Sequence, residues 1–252
     1  MARILSISAF FVLIWITVFP LGARSQALIA DLSSHHVAIT TGFTGAEVLL
    51  FGAVDGAGDV VVIITGPPET VVVRQKQRIA GVWANAADIA FTGVPNFYAI
   101  ASTRPLEEIA TTDIRQLQQI GAENIKFKPA RRNGLISNQE FAQFRKALIR
   151  NKAAEGLFMT KPASVTLMSN RLFSTRVNFP TNMATGTYTA VVYLFREGSS
   201  LQAFSTPILV EKVGFGAEVF KFAHRHSALY GIAAIIVAIF AGWLGSVIFR
   251  KV

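Results

Sequence analysis

The 252-residue sequence contains no cysteine. It therefore has no thiol nucleophile, thiolate metal ligand or disulfide, and whatever part of it folds is held by its own core. Acidic residues are few, 15 against 24 Lys and Arg, which gives a formal net charge of +9. Glu107-Glu108, two of those scarce carboxylates, stands at an expected helix start, where negative charge is favoured on electrostatic grounds alone. The chain has no Gly-x-Ser-x-Gly, no phosphate-cradling glycine loop and no His-Glu-x-x-His helix. The expectation is a non-enzymatic protein without a cofactor. Histidine is scarce as well, and its four copies form two close pairs, His35-His36 and His224-x-His226. These are weak metal candidates, because adjacent strand residues face opposite ways and no Met or carboxylate neighbours them in sequence.

Long apolar runs are present, and they lie at the two ends. Residues 1–27 carry Arg3, an apolar stretch from Ile4 to Phe19, then Pro20 and small residues up to Ala27. This pattern is that of a secretory signal cleaved after Ala27, or after Ser25, with an uncleaved anchor as the alternative. At the other end Leu229 to Phe249 has no charge and rises about 31 Å as a helix, close to the hydrocarbon thickness of a bilayer. A transmembrane helix is expected over 229–249, followed by a cytoplasmic tail 250–252 holding Arg250-Lys251. A signal followed by a stop-transfer helix places the body, 28–220, on the periplasmic side of the inner membrane. For an exported body nucleic acid is not an expected partner, in spite of the positive charge.

Between the two ends, short β-rich runs are punctuated by turn residues: HVAIT, AEVLLFGAV, DVVVIITG, TVVVRQKQRI, IAFTG and FYAIAS, then ASVTLM, RLFSTRVNF, GTYTAVVYLFREG and LQAFSTPILVEK. The TGFTG and DGAGD stretches have the Gly and Asp that hairpin turns require. From about 105 to 157 the period changes to that of helices. One amphipathic helix is expected around Leu106, Ile109, Ile114, Leu117 and Ile120, and a second, capped by Ser137 or Asn138, around Phe141, Phe144 and Leu148. The reading is mainly β: an antiparallel immunoglobulin-like sandwich with a two-helix insert. Gly186-x-Tyr188 resembles the tyrosine corner of such sandwiches, the alternative being an ordinary strand tyrosine.

Three groups of residues are candidates for binding. In VVVRQKQRI, Arg74, Lys76 and Arg78 share one strand face, with Trp83 and Tyr98 as possible companions. An open surface there would make a docking or edge-protecting ladder, and a concavity would make a small-anion site. Charge is also uneven along the body, with four cations against eight anions in 28–110 but sixteen against seven in 111–228. Lys126, Lys128, Arg131, Arg132, Arg145, Lys146, Arg150 and Lys152 carry most of that excess, as a solvated face or as a surface for anionic lipid or an acidic partner. Finally, Ala234, Ala238, Gly242 and Ser246 recur at every fourth position of the apolar C-terminal run, a helix-packing face or simply the composition of a plain anchor.

Several stretches together, FTGAEVLLFGAV, VVVRQKQRIAGVWANA, GVPNFYAIASTRPL, RLFSTRVNFPTNMATGTYTAVVYLFREG and the whole terminal EKVGFGAEVF…FRKV, resemble the alphaproteobacterial transmembrane protein family of unknown function. The resemblance runs from about Leu28 to Arg250 and brings no catalytic residue with it. It implies a single-anchor exported domain with an accessory role, docking on an integral membrane protein such as a sulfite-exporter-type permease. The alternative function is a small-anion-binding domain built on the basic strand face, and a metal-dependent enzyme is the third.

Overall fold

The computed structural model describes residues 28–40, 42–79, 81–130 and 137–249. The expected signal segment, the cytoplasmic tail, and Arg131 and Arg132 lie outside the described residues. The fold is mainly β, with an apolar helix at its C-terminal end.

The strands are β1 (Leu28–Leu32), β2 (His36–Ile39), β3 (Ala46–Val54), β4 (Asp59–Thr65), β5 (Pro68–Ile79), β6 (Val82–Pro95), β7 (Tyr98–Ser102), β8 (Lys128–Pro129), β9 (Ala163–Ser164), β10 (Thr166–Met168), β11 (Leu172–Phe179), β12 (Gly186–Arg196) and β13 (Ser199–Lys212). The helices are α1 (Leu106–Ile109), α2 (Thr112–Leu117), α3 (Asn138–Ala154), α4 (Phe215–Arg225) and α5 (Ser227–Phe249). One sheet has the order β1-β3-β11-β10 and a second the order β2-β13-β12-β4-β7-β9. Alternation decides which face each strand buries. Leu28, Ala30 and Leu32 of β1, Phe173, Val177 and Phe179 of β11, and Tyr188, Ala190, Val192 and Leu194 of β12 are all buried, while most residues between them are not. Phe179 meets Tyr188 edge-on at 6.0 Å, and Phe97 stacks on Phe179 at 5.2 Å, so the two sheets close over one core.

Strand β4 departs from alternation because both of its faces are covered. Val60 to Ile64 are five consecutive buried residues. On the side away from the sheet–sheet core, the segment after β7 packs over this region. The Tyr98 hydroxyl fastens it, donating to the Gln119 carbonyl at 3.0 Å and accepting from the Gly121 amide at 2.8 Å. A third sheet, β5-β6-β8, has its root against α3, where Phe91 contacts Phe127 and Phe141 and the Lys152 ammonium reaches the Glu69 carboxylate at 2.5 Å.

Several expectations change on this frame. The pairing is not wholly antiparallel: β2 runs parallel to β13, and β9 parallel to β7. TGFTG and DGAGD do not close hairpins, since β2, β3 and β4 each pair with other strands; both connections carry the chain from one sheet to the other. ASVTLM splits into β9 and β10, which belong to different sheets. The first insert helix breaks into α1 and α2 where Ala110 turns extended (φ −143°, ψ 145°), and this swings Leu117 out to solvent while Ile109 and Ile120 stay buried. By contrast α3 follows its pattern, with Ser137 accepting the Glu140 amide at 3.1 Å as N-cap and with Phe144 and Leu148 buried.

Candidate docking surfaces

The hairpin of β5 and β6 is the longest ladder in the third sheet, and its two halves differ. At the root Val73 faces Ile89 and Val71 faces Phe91, and Val73, Ile89 and Phe91 are buried. Beyond Gln75 burial ends, with no described residue buried from Lys76 to Ala87, and the strands continue as an arm. A register shift between Gln75 and Lys76 accompanies the change. Along one face Arg74 stands opposite Asp88, Lys76 opposite Asn85 and Arg78 opposite Trp83. All three cations are exposed, as are Gln75 and Gln77 on the reverse face. Arg78 folds back at the tip, its Nε donating to the Gly81 carbonyl at 3.2 Å, and Gly81 occupies the left-handed region at φ +88°. Val82 and Trp83 are 69% and 68% exposed.

The cationic face therefore opens to solvent. Tyr98 does not belong with it: the residue is buried in β7, both hydrogen-bonding roles of its hydroxyl are taken, and burial raises its pKa above the usual phenol range. Sequence reading missed Val82 and the second strand of the arm. VWANAA has too little β-branched character to stand out, but a short connection containing glycine between two polar-patterned strands was a usable signal.

The basic run from 126 to 152 is partly consumed by the fold. Arg145 donates to the carbonyls of Glu123 and Ile125 and lies 5.3 Å from the Phe127 ring centroid, and burial pushes its pKa down. Lys152 is buried in its pair with Glu69. Lys126, Lys128, Lys146 and Arg150 are exposed. Lys126 also lines a groove of about 340 Å³ between the six-stranded sheet and the overlying insert, together with Thr65, Gln118, Gln119 and Tyr193. Half-burial raises the pKa of Tyr193 there. Gln119 holds the non-glycine φ of +56° at this wall, and its side chain accepts the Lys126 amide at 2.8 Å.

The histidine pairs serve different neighbours. His35 lies 3.0 Å from Asp31 and His36 3.5 Å from Glu211, while the ring of His224 packs on Phe220 at 4.1 Å and that of His226 on Phe222 at 5.6 Å. Among the described residues no three His, Asp or Glu side chains are grouped so as to hold a metal ion. Tyr188 makes the expected corner, its hydroxyl donating to the Ala184 carbonyl at 2.7 Å.

Among the described residues one helix, α5, is long and apolar enough to cross a membrane, and its apolar stretch runs over Ser227–Ser246. Ala234, Ala238, Gly242 and Ser246 are all exposed on it, and a Cβ added at Gly242 would meet nothing within 4 Å. No curated protein matches the chain. The family described as "Putative transmembrane protein (Alph_Pro_TM)" matches residues 27–251, and the chain belongs to that family.

Proposed function

We propose that the chain is a membrane-anchored accessory protein. In this reading an exported body of immunoglobulin-like type sits on the periplasmic side of the inner membrane, with the C-terminus cytoplasmic, and docks on an integral membrane partner through the outer half of the β5–β6 arm. A sulfite-exporter-type permease is the partner that the family resemblance suggests. The observation that carries the proposal is the arm: it extends past its own core, displays Arg74, Lys76 and Arg78 on one face, and exposes Val82 and Trp83 at its tip. A projecting ladder of this kind is costly to maintain as an open edge unless charge protects it or a partner covers it. An aromatic beside cations is the composition of an interface centre. The immunoglobulin-like part of the reading is supported by the orders β1-β3-β11-β10 and β13-β12-β4, by β2 crossing over to lie beside β13, and by the Tyr188 corner.

The test is gentle detergent purification of the full chain with identification of co-purifying membrane proteins, repeated with Arg74, Lys76 and Arg78 all replaced by Gln. The variant is expected to fold and to lose a partner that the unaltered chain retains, with the retained binding weakening as salt is raised. Equal recovery by both proteins would reject the arm as the docking element, and retention on anionic vesicles alone would replace the protein partner with lipid.

The groove beside Lys126 favours a second reading, small-anion binding, and moves it away from the strand face. Calorimetric titration with inorganic sulfate, compared with Lys126→Met, decides it: heat that disappears in the variant supports the groove, and no heat in either rejects it.

A further inference from the structure

We infer that α4 is an interfacial helix, lying in the plane of the bilayer surface with its aromatic side in the boundary between headgroups and acyl chains. The chain leaves the body at Lys212 and enters α5 at Ser227, and α4 occupies nearly all of the interval. His226, between the two helices, has φ −134° and ψ 55°, so the helical axis breaks there and α4 does not simply prolong the membrane-spanning segment.

Periodicity gives α4 two sides. At about 100° per residue Val219, Phe220, Phe222 and Ala223 fall on one arc and His224 and Arg225 on the other. The sequence extends both stripes, with Phe215 and Gly216 in phase with the first and Glu218 and Lys221 in phase with the second. In an amphipathic helix of a globular protein the apolar arc is buried. Here Phe220 is 62% exposed and Phe222 45% exposed, each with its ring against that of the histidine four residues on.

Chain continuity identifies the missing cover. Phe222 lies five residues before the membrane-spanning helix, roughly 8 Å along a helical path, so the apolar surface within its reach is the bilayer itself. A strong apolar arc opposite a cationic one, with modest overall hydrophobicity, is the composition of helices that lie on membranes, and Arg225 at the solvent side suits anionic headgroups. The consequence is positional: β13 ends just before α4, so the body is held close against the bilayer at a fixed height. This inference concerns lipid contact by α4 and stands whether or not the arm has a protein partner.

The absence of cysteine makes the test direct. Single cysteines at Val219, Phe220, Phe222, His224 and Arg225 of the full chain are spin-labelled in vesicles of phosphatidylcholine with phosphatidylglycerol, and relaxation by oxygen is compared with relaxation by a water-soluble nickel chelate. Labels at 219, 220 and 222 are expected to favour oxygen and to sit roughly 5–10 Å below the phosphates, with those at 224 and 225 favouring the chelate. Chelate access at every position would place α4 in water. Oxygen preference at every position would make it part of the span, and protection of 219, 220 and 222 from both reagents would mean that protein covers them. Any of these three results overturns the inference. Because the readout is a pattern over five surface positions, loss of one variant to misfolding leaves it readable.

Discussion

Tyr188 shows how much a single side chain can fix. Its ring closes an aromatic cluster with Phe97 and Phe179, and its hydroxyl satisfies the Ala184 carbonyl at the corner before β12. Tyr188→Phe keeps the ring and removes that bond, so a loss of about 1–2 kcal/mol is expected in denaturant unfolding of the detergent-solubilised protein. Burial pushes the phenol up to about 12, above its unfolded value near 10. The folded state thus holds this proton more tightly than the unfolded one. The associated stability is fully present below about pH 10 and is lost as the pH climbs toward 12, so the midpoint of unfolding should fall across that window, less steeply in Tyr188→Phe. Asp59 has the opposite sign: the Arg104 guanidinium, bonded to it at 2.5 and 2.9 Å, lowers its pKa, and its contribution disappears as the pH falls through the acid range. The corner was legible because Gly-x-Tyr at a strand start is a local signal. The reason for Gly66 was not, because a Cβ there would lie 1.9 Å from Asn96 Oδ1, a residue thirty positions away whose approach no local pattern announces.

Among the elements, the arm yields the clearest expectation. Replacing residues 75–87 by Asn-Gly joins Arg74 to its cross-strand neighbour Asp88 through a turn suited to a tight hairpin. The deleted part is largely exposed, so thermal unfolding should shift by no more than a surface change does, about 0.5 kcal/mol, while recovery of a membrane partner is lost. A large drop in stability would show that the distal strands support the core. Strand legibility followed burial. AEVLLFGAV, RLFSTRVNF and GTYTAVVYL alternate because one face of each meets the other sheet, and DVVVIIT reads as a continuous run because both of its faces are covered. Strand β1 went unread because LIADL directly follows the segment expected to be a signal. TGFTG and DGAGD were misread because a crossover between sheets and a hairpin ask for the same residues: Gly45 and Gly56 lie at φ +110° and +82° whichever strand comes next. The break between α1 and α2 was hidden for a different reason. The apolar spacing continues across it, and the departure of Ala110 from helical dihedrals has no signature in composition.

At the scale of the whole molecule, a β body is followed by a helix, α5, that among the described residues is the one long and apolar enough to cross a membrane. If α5 packs against a partner through its small residues, Ala238→Leu and Gly242→Leu should reduce recovery of that partner while membrane insertion continues, and leucine on the other side of the helix should change nothing. Equal recovery with all of these variants would leave α5 as a plain anchor. Orientation is checked separately by alkaline phosphatase joined near Gly216, which is expected to be active if the body is exported. The route from body to anchor has a mechanical meaning. The last strand before the membrane, β13, is held along its length by β12, from the Arg196–Ser199 pair to Gly186–Val210, and is flanked at its exit by parallel β2, from Leu209–His36 to Lys212–Ile39. A pull through α5 that runs along β13 would cross those backbone hydrogen bonds and load the rows on both sides of the strand together. The fold thus places a strand paired on both sides at the point where a pull through α5 enters the body.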